Sequence, residues 1–182
     1  MFLIPAALAA EGMGSGEMDK FFVKAALAAA SLSVTLAQPA QAAVSCWNPE
    51  SAAAVKIKDL QSRLMVGTLM CNAMGYDTSA SYNRFVIANK VALNAANRTV
   101  QARFTRVFGA RSLKEYDRFN TSLANAYGSR PTSRDVCEAN QHAARDAAAA
   151  RGDGVRLLAI AEQLGSDVSL PGGRCGRDFA SR

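Results

Sequence analysis

Aromatic residues make up only 7% of this 182-residue chain, and it has one histidine and one tryptophan. No run of alternating β-branched residues is long enough for a sheet, which argues against the β and α/β classes. The sequence contains no GxGxxG, no phosphate loop, no HExxH and no GxSxG, so the common dinucleotide, nucleotide, zinc-protease and serine-hydrolase sites are missing. The four cysteines, Cys46, Cys71, Cys137 and Cys175, have no CxxC spacing and no histidine pair beside them. That argues against a metal or redox centre, and no cofactor is expected. No apolar run reaches the ~20 residues of a membrane span.

Alanine is abundant, with scattered Leu, Val, Met and Arg, a composition that favours helix. Met18–Lys24 form a short basic segment, Ala25–Ala37 an uncharged apolar stretch, and Gln38–Ala42 end in small-x-small. This is the pattern of a secretory signal peptide over 18–42. Residues 1–17 then read as an upstream extension before the true start at Met18. The mature chain would begin near Ala43, in the periplasm or outside the cell, where cysteines pair. Ala43-Val44-Ser45-Cys46 loosely fits a lipoprotein box, so an alternative anchors the chain through a lipid on Cys46.

Within 43–165 the spacing predicts an all-α domain. Ile57, Leu60, Leu64, Gly67, Cys71 and Met74 fall on one helical face, widened by Met65, Val66, Leu69 and Met70, with Pro49 in the first turn and Gly75 as a left-handed cap. This helix is expected to sit at the centre. Ser81 to about Phe108 reads as one helix roughly 40 Å long. Its inner face carries Tyr82, Phe85, Asn89, Leu93, Ala96, Val100 and Phe104. Ser112 and Glu115 form a capping box for a third helix with Leu113, Tyr116, Phe119, Leu123 and Tyr127 inside. A fourth follows Ser133 with Val136, Cys137, Asn140, Ala144 and Ala147 inside, and a short fifth covers Val155–Leu164. Short connections make sequential helices antiparallel. The expectation is an up-and-down bundle of four main helices plus a short fifth, with an irregular tail over 166–182. That topology puts Cys71 and Cys137 at one end and leaves Cys46 with Cys175 at the other, one of three possible pairings.

Two places carry candidate chemistry. Glu138, His142 and Asp146 share a helix face at i,i+4 spacing, as a general base with carboxylate support would. Solvated charge pairing produces the same pattern. Arg103, Arg106 and Arg111 cluster near the turn between the second and third helices, and guanidinium groups pair well with phosphates. The partners this suggests are an anionic envelope component, whether lipid, lipopolysaccharide or polysaccharide, or another envelope protein. No specific nucleic acid is implied. Arg151-Gly152-Asp153 spells an integrin-type tripeptide, a frequent chance match.

Cys46-Trp47, the run Leu64–Cys71, Tyr82-Asn83-Arg84-Phe85, Tyr116-Asp117-Arg118-Phe119 and the later Cys137 together resemble a family of short exported, cysteine-containing helical proteins of alphaproteobacteria. The resemblance implies this layout and supplies no functional residues. The reading is therefore a non-enzymatic binding or structural module of the envelope. The alternatives are a small hydrolase working through Glu138, His142 and Asp146, and the Cys46-anchored lipoprotein.

Overall fold

The computed structural model describes residues 46–176. The extension 1–17, the signal peptide 18–42 and the last six residues of the tail lie outside them. The described chain is all-α: α1 (Pro49–Ala73), α2 (Ser79–Ala88), α3 (Lys90–Phe108), α4 (Ser112–Gly128), α5 (Arg134–Ala148) and α6 (Gly154–Gln163). Among the described residues no helix is long and apolar enough to cross a membrane.

α1 begins with the expected signals. Asn48 accepts a hydrogen bond from the Ser51 amide at 2.8 Å and Pro49 fills the first turn. It ends before Gly75, whose φ of 81° suits a residue without a Cβ. Val55, Leu60, Leu64 and Cys71 are fully buried along one side of α1. α1 packs against every other helix of the bundle, which makes it the central element.

The long second helix is instead two. Asn89 interrupts it, with φ −116° and ψ 14°, and its side chain is wholly buried. Its Nδ2 donates to the carbonyls of Phe85 (2.9 Å) and Ala147 (2.8 Å), and its Oδ1 accepts from the Gly152 amide (2.7 Å). A buried amide is costly unless satisfied, and here three backbone groups satisfy it. The bend lays α2 along α5 and leaves α3 against α1 and α4. The inner face survives the break: Phe85, Leu93, Ala96, Val100 and Phe104 are all buried. The alanine face of α5, Ala143, Ala144, Ala147 and Ala148, is buried too. Its small side chains let α2 come close enough for Asn89 to reach Ala147.

Both expected disulfides are present, Cys71–Cys137 with Cα atoms 5.5 Å apart and Cys46–Cys175 with 4.9 Å. The second works with a short parallel bridge. The Trp47 amide donates to Gly173 O at 2.8 Å, the Cys175 amide to Trp47 O at 2.9 Å, and the Trp47 indole to Pro171 O at 2.9 Å. Trp47 itself packs on Phe104 and Phe119 and closes that end of the core. The tail therefore runs without regular structure after Leu164 but is clamped at Arg174 and Cys175.

Some local expectations fail for identifiable reasons. Met65, Leu69, Met74, Leu113 and Val136 are exposed, because α1 and its neighbours offer fewer covered faces than the apolar residues available. Ser112 does not cap α4. A 3-10 turn at Gly109–Arg111 runs directly into the helix, and Glu115 pairs with Arg118 at 3.1 Å instead.

Peptide mapping without reduction is expected to recover Cys71–Cys137 and Cys46–Cys175, and a Cys46–Cys71 peptide overturns the pairing. Replacing Cys71 and Cys137 together by Ala is expected to cost about 4 kcal/mol in denaturant unfolding. Asn89→Ala is expected to cost about 3 kcal/mol by the same measurement, because it takes the acceptor from the Gly152 amide and leaves the Ala147 carbonyl with the Ala150 amide alone.

Candidate functional site

Small residues hold α1 and α5 at a distance where a cavity opens beside their contact. Gly67 faces the Asn140 side chain so closely that a Cβ would stand 2.5 Å from its Oδ1. Ala139 and Ala143 supply the α5 wall. The cavity measures about 510 Å³ and is closed at its other sides by Met70, Val136, Leu164 and the Arg130–Thr132 turn. Its charged lining residues are Arg63 and Arg130, and no acidic side chain lines it.

A tyrosine organises the rim. The Tyr127 ring has the Arg130 guanidinium 4.8 Å and the Arg63 guanidinium 5.9 Å from its centroid. Its hydroxyl donates to Asp59 Oδ2 at 2.7 Å, and Ser166 donates to the same oxygen at 2.6 Å. Asp59 is 2% exposed, so two hydroxyls stand in for the water it has lost. Arg63 donates to the Leu164 carbonyl, which ties the C-terminal end of α6 to α1. Burial, then the hydrogen bond to Asp59 and its negative charge, push the Tyr127 phenol well above its ordinary value of 10.0, while Arg63 and Arg130 pull the other way. The phenol therefore stays a neutral donor in this site. The sequence reading placed Tyr127 only as a core residue and passed over Asp59, Arg63 and Arg130. Asp59 and Arg63 are one helical turn apart on α1, but that spacing alone looks like an ordinary surface pair.

The histidine cluster does not converge. His142 and Asp146 line a groove of about 550 Å³ between α5 and α6, together with Arg156 and Gln163. Glu138 does not line it and pairs instead with Arg134 at 3.3 Å. No serine, threonine, cysteine or lysine lines the groove, and Asp146 is its one carboxylate. Among the described residues no group of three or more His, Cys, Asp or Glu could hold a metal.

The arginine cluster is divided. Arg106 and Arg111 are exposed, whereas Arg103 is 6% exposed and lies over the Trp47 ring at 5.6 Å. The three do not form one open phosphate-binding surface. Cys46 spends its sulfur on Cys175, so the folded protein has no thiol there to carry a lipid. The Arg151-Gly152-Asp153 tripeptide is used internally: Gly152 donates to Asn89, and Asp153 caps α6 by accepting from the Val155 and Arg156 amides.

Tyr127→Phe removes one of the two donors to buried Asp59 and is expected to cost about 2 kcal/mol near neutral pH. A phenol whose pKa is raised on folding contributes stability that is complete below its ordinary value and is lost as pH rises through the raised one. Wild-type stability should therefore decline above pH 10, and Tyr127→Phe should make that decline shallower. Burial also raises Tyr82, so some slope should persist in the variant. Urea unfolding followed from pH 8 to pH 11 checks both. Compared with family models, with curated proteins and with solved structures, the chain finds no match.

Proposed function

We propose that the protein is an exported, non-enzymatic binding module of the cell envelope, working in the periplasm or outside the cell. Its ligand is an anionic amphiphile held between α1 and α5. The observation that carries this reading is an apolar cavity of about 510 Å³ whose charged lining residues are both arginines. The volume falls in the ~300–1,000 Å³ range typical of small-molecule sites. Met70, Val136, Ala139, Ala143 and Leu164 suit an alkyl chain or another apolar body. Arg130 is exposed at the rim and suits a carboxylate or phosphate head, since guanidinium matches the geometry of both. Two disulfides are in keeping with an oxidising compartment. The hydrolase reading finds less support, because Glu138, one of its three residues, does not line the groove with His142 and Asp146.

Calorimetric titration of the oxidised protein with dodecanoate and with dodecanol tests the ligand class. Dodecanoate is expected to bind at least about tenfold more tightly, and Arg130→Gln is expected to remove most of that difference. Equal affinity for the acid and the alcohol, or no binding of either, overturns the proposal. Mass spectrometry of protein from the producing cell is expected to find a mature chain starting at Ala43 with all four cysteines oxidised. Recovery of a chain that keeps residues 18–42 and free thiols overturns export.

A further inference from the structure

One residue walls two spaces. The cavity between α1 and α5 and the groove between α5 and α6 have three lining residues in common, Ala139, Ala143 and Leu164. Alanine carries nothing beyond its Cβ, so the isobutyl group of Leu164 is the only sizeable side chain in the shared wall. Leu164 is half-buried and packs against the edge of the core. Its backbone is held on both sides. Its amide donates to Ile160 O at 3.0 Å and its carbonyl accepts from Arg63. Gly165 then turns the chain at φ 72°, and the Ser166 amide reaches Ala161 O at 2.9 Å. Changing the Leu164 side chain therefore changes the wall and not the course of the chain.

The wall stands at one end of the cavity. Thr132 donates to Met70 Sδ at 3.6 Å, which puts the Arg130–Thr132 turn beside Met70. Leu164 is tied to Arg63, two helical turns back along α1, about 10 Å away. A head group at Arg130 therefore sends its tail down α1 toward Leu164. We propose, resting on the amphiphile reading of the same cavity, that Leu164 sets the length of the bound tail. It stops the tail at the far end of the cavity and keeps it out of the groove of about 550 Å³ behind the wall. Each methylene before the stop is buried between α1 and α5 and raises affinity about fourfold. A methylene past the stop meets Leu164 and adds nothing. With the isobutyl group removed, only alanine methyls stand between the two spaces, and Ala159 and Ile160 continue the apolar path beside His142 and Asp146. The ligand is thus a single-tailed anion of bounded length.

Calorimetric titration of the oxidised protein with linear carboxylates from octanoate to octadecanoate reads the limit. In wild type, affinity is expected to rise about fourfold per added methylene up to a break, and to level off or fall beyond it. Leu164→Ala is expected to move the break to longer tails, so that the first even-numbered acid past the wild-type break binds about tenfold more tightly than it does to wild type. Adding Ala159→Trp, at a position that lines the groove but not the cavity, is expected to bring the break back, which a general loosening of the protein would not do. Leu164→Phe is expected to move the break to shorter tails, and it decides the matter should Leu164→Ala fail to fold. A break that stays in place in the Leu164 variants, or affinity that climbs through octadecanoate in wild type, overturns the stop and leaves the amphiphile reading standing. No binding of any of these acids overturns both.

Discussion

One buried amide side chain sets the course of the backbone. Asn89 gives both hydrogens of its Nδ2 to carbonyls on two different helices and takes a third hydrogen bond from the turn between α5 and α6. An α-helix has no spare carbonyl or amide in its middle, so such a side chain is satisfied only where a helix bends, ends or turns. All three conditions meet at this point. The bend sends α2 against α5, α5 presents alanine there so that the approach is possible, and the tight turn at Arg151 and Gly152 offers its amide. Moving any one of the three leaves a polar group stranded in an apolar core.

The two ends of the bundle are held differently. At one end a bridge joins α1 to α5 directly, with both sulfurs fully buried. At the other, the bridge joins two extended segments that also exchange backbone hydrogen bonds, and the indole between them seals the aromatic cluster of Phe104, Phe119 and Tyr116. The candidate site lies toward the first end. Its rim depends on the tail as well, because Ser166 and Leu164 both reach back to α1 side chains, Asp59 and Arg63. The cavity between α1 and α5 is thus built from segments distant in sequence.

Much of this architecture was legible from periodicity. Leu60, Leu64, Cys71, Phe85, Val100, Phe104, Phe119, Leu123 and Leu157 all follow from helical spacing and are all buried. The cysteine pairing follows from alternating helix direction. The break at Asn89 was not legible, because the apolar spacing runs through it unchanged and asparagine is tolerated on a helix. Only the tertiary partners Ala147 and Gly152 show why it bends. The candidate site was hidden for a related reason. Asp59, Arg63 and Arg130 carry charges that a sequence assigns to solvent by default. Asp59 is buried and Arg63 half-buried under Tyr127 and the tail, more than sixty residues away from α1 for the Asp59–Tyr127 contact, while Arg130 stays exposed at the rim. Conversely, Glu138, His142 and Asp146 looked organised because i,i+4 spacing is conspicuous, but the fold turns Glu138 toward Arg134.

The bridges are nested: the first cysteine joins the last, and the second joins the third. Chain synthesis delivers Cys46 and Cys71 long before Cys137 and Cys175. An oxidant acting in order of emergence would couple the first two, and that product cannot reach the native bundle without thiolate attack and reshuffling. Nested pairing forms directly only where the helices bring the partners together before oxidation, and a Cys46–Cys71 link made earlier has to be undone by exchange.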